Sequence, residues 1–76
     1  MPTAFVLINC DLGMEKDIVK ELKKIAGVKE VHEIYGVYDI IAKLEAEDMR
    51  MLREAVMGRI RKINGVRSTL TMTVIE

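Results

Sequence analysis

The stretch VHEIYGVYDIIA, residues 31–42, decides the fold because it predicts two antiparallel strands joined by a tight turn. Valine, isoleucine and tyrosine are frequent in both of its halves, and these residues favour strands. Gly36 stands between the halves, and glycine reaches positive φ in a tight turn at no steric cost. Asp39 falls just inside the second strand, close to Tyr35 and Tyr38, where packing alone would not favour a carboxylate. Asp39 is therefore the first candidate for a functional residue.

Outward from this hairpin, the apolar residues predict two more strands and two helices. Residues 3–10 are apolar at both parities, which is typical of a strand buried on both faces. Apolar residues at three- and four-residue spacing predict amphipathic helices that are ended by Gly27 and Gly65. The predicted strands cover residues 3–10, 28–35, 37–44 and 67–75. The predicted helices cover residues 14–25 and 49–63.

The two halves of the chain resemble each other. Residues 22–29 (LKKIAGVK) and residues 60–67 (IRKINGVR) match at a constant offset of 38 residues, so each half is a strand-helix-strand unit. With right-handed crossovers, two such units predict an α+β, ferredoxin-like βαββαβ fold. Its four-stranded antiparallel sheet would have strands one and three at the centre, the polar second strand at an edge and both helices on one face.

Two helices on one face would leave the other face of this sheet uncovered. Phe5 and Leu7, or their neighbours of opposite parity, would lie there. A chain of 76 residues has a marginal core, and an exposed apolar face marks an interface. The sequence therefore predicts a homodimer with its sheets packed face to face, as in the dimeric α+β barrels. The alternative is a monomer with an open apolar face.

Composition narrows the classes of function. The 12 basic and 12 acidic residues are interspersed and cancel, which argues against direct binding to nucleic acid or to an anionic membrane. The longest apolar run, residues 4–8, is too short to span a membrane, and no basic segment precedes it as in a signal peptide. The single cysteine, Cys10, can form no intrachain disulfide and is interpreted as a small buried apolar residue. We expect one cytoplasmic domain, residues 1–76, that recognises small molecules or proteins.

The residue pattern offers no nucleophile with a base, no carboxylate pair and no metal-binding cluster. His32, the only histidine, is interpreted as a solvated residue of the edge strand. The sequence thus predicts no catalytic residue, metal or cofactor. The hairpin and the polar run 68–71 do suit a small zwitterion, with Asp39 for an ammonium group and with hydroxyls and turn amides for a carboxylate. Threonines are also ordinary strand formers, so both interpretations stay open.

Three segments together resemble a known family. They are Gly27-Val28 followed by Val31 and Ile34, the run Tyr35–Lys43 that begins Tyr-Gly-Val-Tyr-Asp, and the run Gly65–Thr71 with its Thr-x-Thr ending. Over nearly the whole chain, this pattern is similar to the effector-binding domain of the Lrp/AsnC regulators, the RAM domain (regulation of amino acid metabolism). The resemblance implies a sheet-to-sheet dimer, often assembled into an octamer-like ring of four dimers, that binds amino acids at contacts between dimers.

Full-length members of that family carry a helix-turn-helix DNA-binding domain before this one. Here Met1 stands immediately before the first strand, so we expect a stand-alone RAM domain without a DNA-binding domain. The resemblance implies that the amino-acid pocket is formed by Tyr35, Gly36, Tyr38, Asp39, Ser68, Thr69 and Thr71. Asp39 would receive the ammonium group of the ligand.

The leading hypothesis is an oligomeric regulatory module that senses small amino acids or their relatives at intersubunit sites. It would act alone or by modulating full-length Lrp/AsnC regulators. Two other classes remain open. One is a small enzyme of the dimeric α+β barrel type, which likeness of fold alone would support. The other is a ligand-free module that only assembles with other RAM proteins.

Overall fold

The computed structural model describes residues 1–75. The strands are β1 (Thr3–Cys10), β2 (Val28–Glu33), β3 (Ile40–Glu45) and β4 (Val66–Thr73), and the helices are α1 (Glu15–Leu22) and α2 (Met49–Gly58). A short 3₁₀ turn, Ile60–Lys62, follows α2. The four strands form one antiparallel sheet in the order β2-β3-β1-β4. The predicted ferredoxin-like topology is confirmed, with β1 and β3 central and β2 at an edge.

One face of this sheet and the two helices enclose the core. Strict alternation along β1 buries every second side chain, and the same alternation in β3 matches it across the sheet. The buried side chains of the two central strands are Ala4, Val6, Ile8, Cys10, Ile40, Ala42 and Leu44. The helices and the turns that follow them contribute Ile18, Leu22, Ile25, Leu52, Val56 and Ile60. The core is aliphatic because the only phenylalanine lies on the other face of the sheet, paired with Lys43 and Met72.

The internal repeat appears as the same turn in both halves. Val28 N donates to Ile25 O at 3.2 Å, and Val66 N donates to Ile63 O, also at 3.2 Å. In the first half this turn meets the end of β3, where the backbone oxygen of Glu45 lies 2.7 Å from the position that a Cβ would take at Gly27. Glycine is required there by this close approach and by its φ of +96°.

Both helices are shorter than their apolar spacing predicts. The helix expected over residues 14–25 ends at Leu22, after which Lys24 N and Ile25 N donate to carbonyls three residues back at 3.1 Å. The helix expected over residues 49–63 ends at Gly58 and continues as the 3₁₀ turn. The spacing of apolar residues indicates which side chains are buried, but not which backbone is helical. Ile25 and Ile60 are buried although they lie in the tighter turns that follow the helices.

The strand boundaries also differ from the prediction at the hairpin. The predicted tight turn at Gly36 is wrong, because β2 ends at Glu33 and β3 begins at Ile40, so the two strands are joined by the six residues 34–39. Gly36 does adopt a positive φ, of +140°. The last strand covers residues 66–73 in place of the predicted 67–75.

The sheet face opposite the helices is apolar at its centre, as predicted. The register pairs Leu7 with both Ile41 and Leu70, and it pairs Phe5 with Met72. We call these five residues the open face. Leu70 and Met72 keep 44% and 46% of their surface exposed. Towards β2 the same side of the sheet becomes charged, since Lys43 Nζ lies 3.8 Å from Glu30 and 3.9 Å from Glu45.

Candidate functional site

One end of the sheet gathers several polar residues, two of which the sequence pointed to. The end of β1 meets the starts of β3 and β4 there, because all three strands are antiparallel neighbours. A cavity of about 370 Å³ opens at this end. We call it the terminal cavity, and it is lined by Asn9, Cys10, Asp39, Arg67 and Ser68. Its volume lies in the range of small-molecule sites, which runs from about 300 to 1,000 Å³.

Asp39 is held in place by the end of β1. Its backbone N donates to Ile8 O at 3.0 Å, and its Oδ2 accepts from Cys10 N, also at 3.0 Å. Its carbonyl accepts from Ile34 N at 2.9 Å, which closes the connection between β2 and β3. Asp39 thus lies directly before β3, and not just inside it as predicted. Its carboxylate satisfies a part-buried backbone donor, which is a structural reason for an acid at this position.

Arg67 lines the cavity because the pairing of β1 with β4 contains a β-bulge. Pairing of β1 with β4 passes from Asn9 with Ser68 to Cys10 with Val66, so Arg67 is the extra residue of a β-bulge. A bulge re-aims a side chain and commonly does so beside functional sites. Val66 consequently packs against the core, while Arg67 Nε lies 3.7 Å from the carboxylate of Asp11.

Arg67 is not among the residues that the sequence predicted for the pocket. In a regular strand Val66 and Ser68 would share one face, yet the first is apolar and lies at the core while the second lines the terminal cavity. That break in alternation was the available signal of a bulge. Asn9 and Cys10 were also missed as cavity residues, because β1 predicted only a buried strand.

Cys10 forms part of the cavity wall and is 7% exposed. Burial and, after it, the negative charge of Asp39 together raise the pKa of Cys10 to about 11. The thiol is therefore protonated at neutral pH, when a reactive cysteine would be a thiolate. The interpretation of Cys10 as a buried residue is confirmed.

The structure brings together two of the seven residues expected in the pocket. Asp39 and Ser68 both line the terminal cavity, where Asn9 Nδ2 donates to Ser68 Oγ at 3.4 Å. Thr69 and Thr71 pair with Ile8 and Val6 on the opposite, helix-facing side of the sheet. Thr71 lines a separate groove between β4 and α2.

The other three expected residues lie on the connection between β2 and β3. Tyr35 is fully exposed, Gly36 is exposed and Tyr38 is half-buried, and none of them lines the terminal cavity within this chain. Val37 on the same connection and Leu12 after β1 are also strongly exposed. This end of the sheet therefore carries a polar cavity, and the connections that leave the strands there carry exposed apolar side chains.

Residues 1–75 show neither a metal-binding cluster nor a membrane-spanning helix. No group of three or more His, Cys, Asp or Glu side chains is arranged to hold a metal ion in that range. Neither helix in the described part of the chain has the length and apolar character needed to cross a membrane.

Comparison with known proteins gives consistent matches over almost the whole chain. The sequence profile of the Lrp/AsnC ligand binding domain matches residues 3–76. A homocitrate synthase of Saccharolobus solfataricus is 40% identical over 74 residues, which are 96% of this chain and 16% of that enzyme. An HTH-type transcriptional regulator of Pyrococcus furiosus is 40% identical over 73 residues, which are 92% of this chain and 49% of that protein. The chain thus spans only a part of either relative.

A solved structure matches the fold over its full length. The crystal structure of FFRP-DM1 has a TM-score of 0.95 and 35% sequence identity, and the match covers 99% of this chain and 100% of that chain. The βαββαβ order and the strand order described above are therefore those of an existing structural family.

Proposed function

The chain belongs to the Lrp/AsnC ligand-binding domain family, and on that premise we propose that it binds a small amino acid and regulates a partner in response. The terminal cavity is the observation that carries this proposal. It combines a carboxylate, a guanidinium, an amide and a hydroxyl around a space that suits a small molecule.

Asp39 is the proposed anchor for the ammonium group of the amino acid. Its Oδ2 is engaged by Cys10 N, which fixes the orientation of the carboxylate, and Oδ1 makes no hydrogen bond within residues 1–75. A fixed acceptor binds a charged donor without first losing side-chain freedom. A transcriptional regulator from Neisseria meningitidis that shares the fold, at 17% identity and a TM-score of 0.89, was crystallised as a complex with L-methionine. That complex supports an amino acid as the class of ligand to test.

Assembly follows from the surfaces that one chain leaves uncovered. In this proposal, two copies pack through the open face, whose apolar side chains a second copy would remove from water. Dimers would then meet at the ends of their sheets, where Tyr35 and Val37 are exposed. The expected pocket residues that lie outside the terminal cavity, Tyr35, Gly36, Tyr38, Thr69 and Thr71, would reach a ligand only from such a neighbouring copy. A ring of four dimers is the assembly that the family resemblance implies.

Calorimetric titration with the twenty protein amino acids tests the proposal directly. We expect the wild type to bind at least one of them, and we expect Asp39→Asn to bind it roughly ten- to a hundredfold more weakly, which is the loss typical of one charge-assisted hydrogen bond. Asparagine keeps an acceptor for Cys10 N while it removes the charge, so it is more informative than alanine. Asp17→Asn on the exposed surface of α1 is the matched control. Absence of binding by the wild type, or full binding by Asp39→Asn, would reject the proposed site.

The identity of the regulated partner has two candidates. A full-length Lrp/AsnC regulator is the first, since a transcriptional regulator of Pyrococcus furiosus contains a similar domain. A homocitrate synthase is the second, because a similar domain also occupies part of such an enzyme. Affinity capture from the host with and without added amino acids separates them, since the first predicts a DNA-binding partner and the second predicts an enzyme. Capture of other RAM proteins regardless of added amino acid would favour the ligand-free assembly module.

A further inference from the structure

We propose that Arg67 binds the α-carboxylate of the amino acid whose ammonium group meets Asp39. This inference rests on the proposed function and adds to it the residue that distinguishes an amino acid from an amine. Three observations carry it: the bulge that directs Arg67 to the terminal cavity, the weakness of its present ion pair, and the charge of the cavity without it.

The bulge places a cation where a regular strand would not. Because the register shifts between Asn9 and Cys10, Arg67 is accommodated as an extra residue, and its side chain lines the same cavity as Asp39 and Ser68. Among the five residues that line this cavity, Arg67 is the cation and Asp39 is the anion. Opposite charges in one small cavity match the two charges of a zwitterion, and a guanidinium can bind a carboxylate through two parallel hydrogen bonds.

The present partner of Arg67 is easily exchanged. Arg67 Nε lies 3.7 Å from Asp11 Oδ1, and the two side chains are 70% and 59% exposed. That distance is longer than a charge-assisted hydrogen bond of about 2.7–2.9 Å. Exposed ion pairs of this kind contribute little to stability. Arg67 can therefore turn from Asp11 to a ligand carboxylate at small cost.

A ligand carboxylate needs this cation. The negative charges of Asp39, Glu15 and Asp11 all reach Cys10 in the wall of the cavity, where each of them raises the pKa of the thiol. The same charges would repel a second carboxylate. Arg67 offsets them at the point where the carboxylate would enter, so the site accepts an amino acid and would reject a simple organic acid that has no ammonium group for Asp39.

The test compares two ligands on two proteins. The wild type and Arg67→Gln are titrated calorimetrically with the twenty L-amino acids and with the α-amide of the amino acid that binds best. The α-amide keeps the ammonium group and the side chain but lacks the carboxylate. We expect the wild type to prefer the acid by at least about tenfold, the effect of one charge-assisted contact. We expect Arg67→Gln to bind acid and amide with similar affinity. Arg61→Gln, an exposed arginine of the 3₁₀ turn, should behave as the wild type.

A merely structural role for Arg67 would weaken both ligands equally and leave the preference unchanged, so a retained preference in Arg67→Gln would overturn the inference. A wild type that binds acid and amide alike would overturn it without any variant. Asp11→Asn supplies a second variant at an exposed position, and it should bind the acid a few-fold more tightly because the competing partner of Arg67 is removed. A wild type that binds none of the twenty amino acids would reject the proposed function itself.

Discussion

Substitution of Asp39 separates its structural contact from its proposed contact with ligand. In the absence of amino acids, Asp39→Ala removes the acceptor of Cys10 N, a part-buried donor at 3.0 Å. Loss of a hydrogen bond to a charged group costs about 2 kcal/mol of the free energy of unfolding. For a domain of this size, that corresponds to a fall in Tm of about 8–16 °C. Asp39→Asn retains a neutral acceptor, so we expect about half of that loss.

Thermal unfolding followed by circular dichroism, at one protein concentration for all variants, measures both effects. The two substitutions should differ from each other in stability, while both should lose affinity for the amino acid because both remove the charge. The reasoning would be refuted if Asp39→Ala were as stable as the wild type, or if Asp39→Asn were destabilised as much as Asp39→Ala. Either result would mean that the contact with Cys10 N does not determine the position of the Asp39 carboxylate.

Three further measurements test other parts of the structure. Gly27→Ala should lower the free energy of unfolding by about 2–4 kcal/mol, because it adds backbone strain and a clash with β3. Gly13 has a similar positive φ but lies in open space, so Gly13→Ala should lower it by only about 1–2 kcal/mol. Equal losses of the two variants in chemical denaturation would contradict the close approach at Gly27. The pKa of Cys10 is about 11 in the fold against an ordinary 9.0, so the folded state holds this proton more tightly. The resulting stabilisation is complete below pH 9, and we expect it to be lost as the pH rises to about 11; rapid labelling of native protein by iodoacetamide at pH 8 would show that the thiol is not protected. Leu7→Lys at the centre of the open face should convert the proposed dimer to a monomer in light scattering, while Leu12→Lys on an exposed loop should not; a persistent dimer in the first variant would exclude this interface.

Much of the fold was predictable because the spacing of apolar residues along the sequence differs between strands and helices. Apolar residues of both parities correctly indicated that β1 is a central strand, but they also predicted burial on both faces, whereas the chain itself buries only every second residue of β1. The helices were predicted from the spacing of apolar residues, but the predicted helices were too long. Ile25 and Ile60 continue that spacing, whereas the backbone at these residues already forms turns. Helix ends depend on hydrogen bonds between backbone groups, and these leave little trace in side-chain pattern.

The candidate site was predictable only in part, because its residues come from distant segments. Asp39 and Ser68 were identified through their residue types and the family resemblance, and the structure brings them into one cavity. Arg67 was not identified, because its position depends on a register shift between β1 and β4. Such a shift is set by two paired strands, so the break in alternation between Val66 and Ser68 indicates a bulge without showing which side chain enters the cavity.

The sequence by itself determined the order of the elements, the internal repeat, the two-faced central strands and the unusual carboxylate at position 39. These features follow from the spacing and type of neighbouring residues, so they do not depend on how distant segments of the chain pack. Only the tertiary structure decided that Asp39 bonds to the end of β1, that Arg67 shares its cavity and that Thr71 lies on the other side of the sheet. The physical reason is that strand register and bulges are set when the edge strand β4 pairs with β1, and that pairing fixes which polar side chains can meet one ligand.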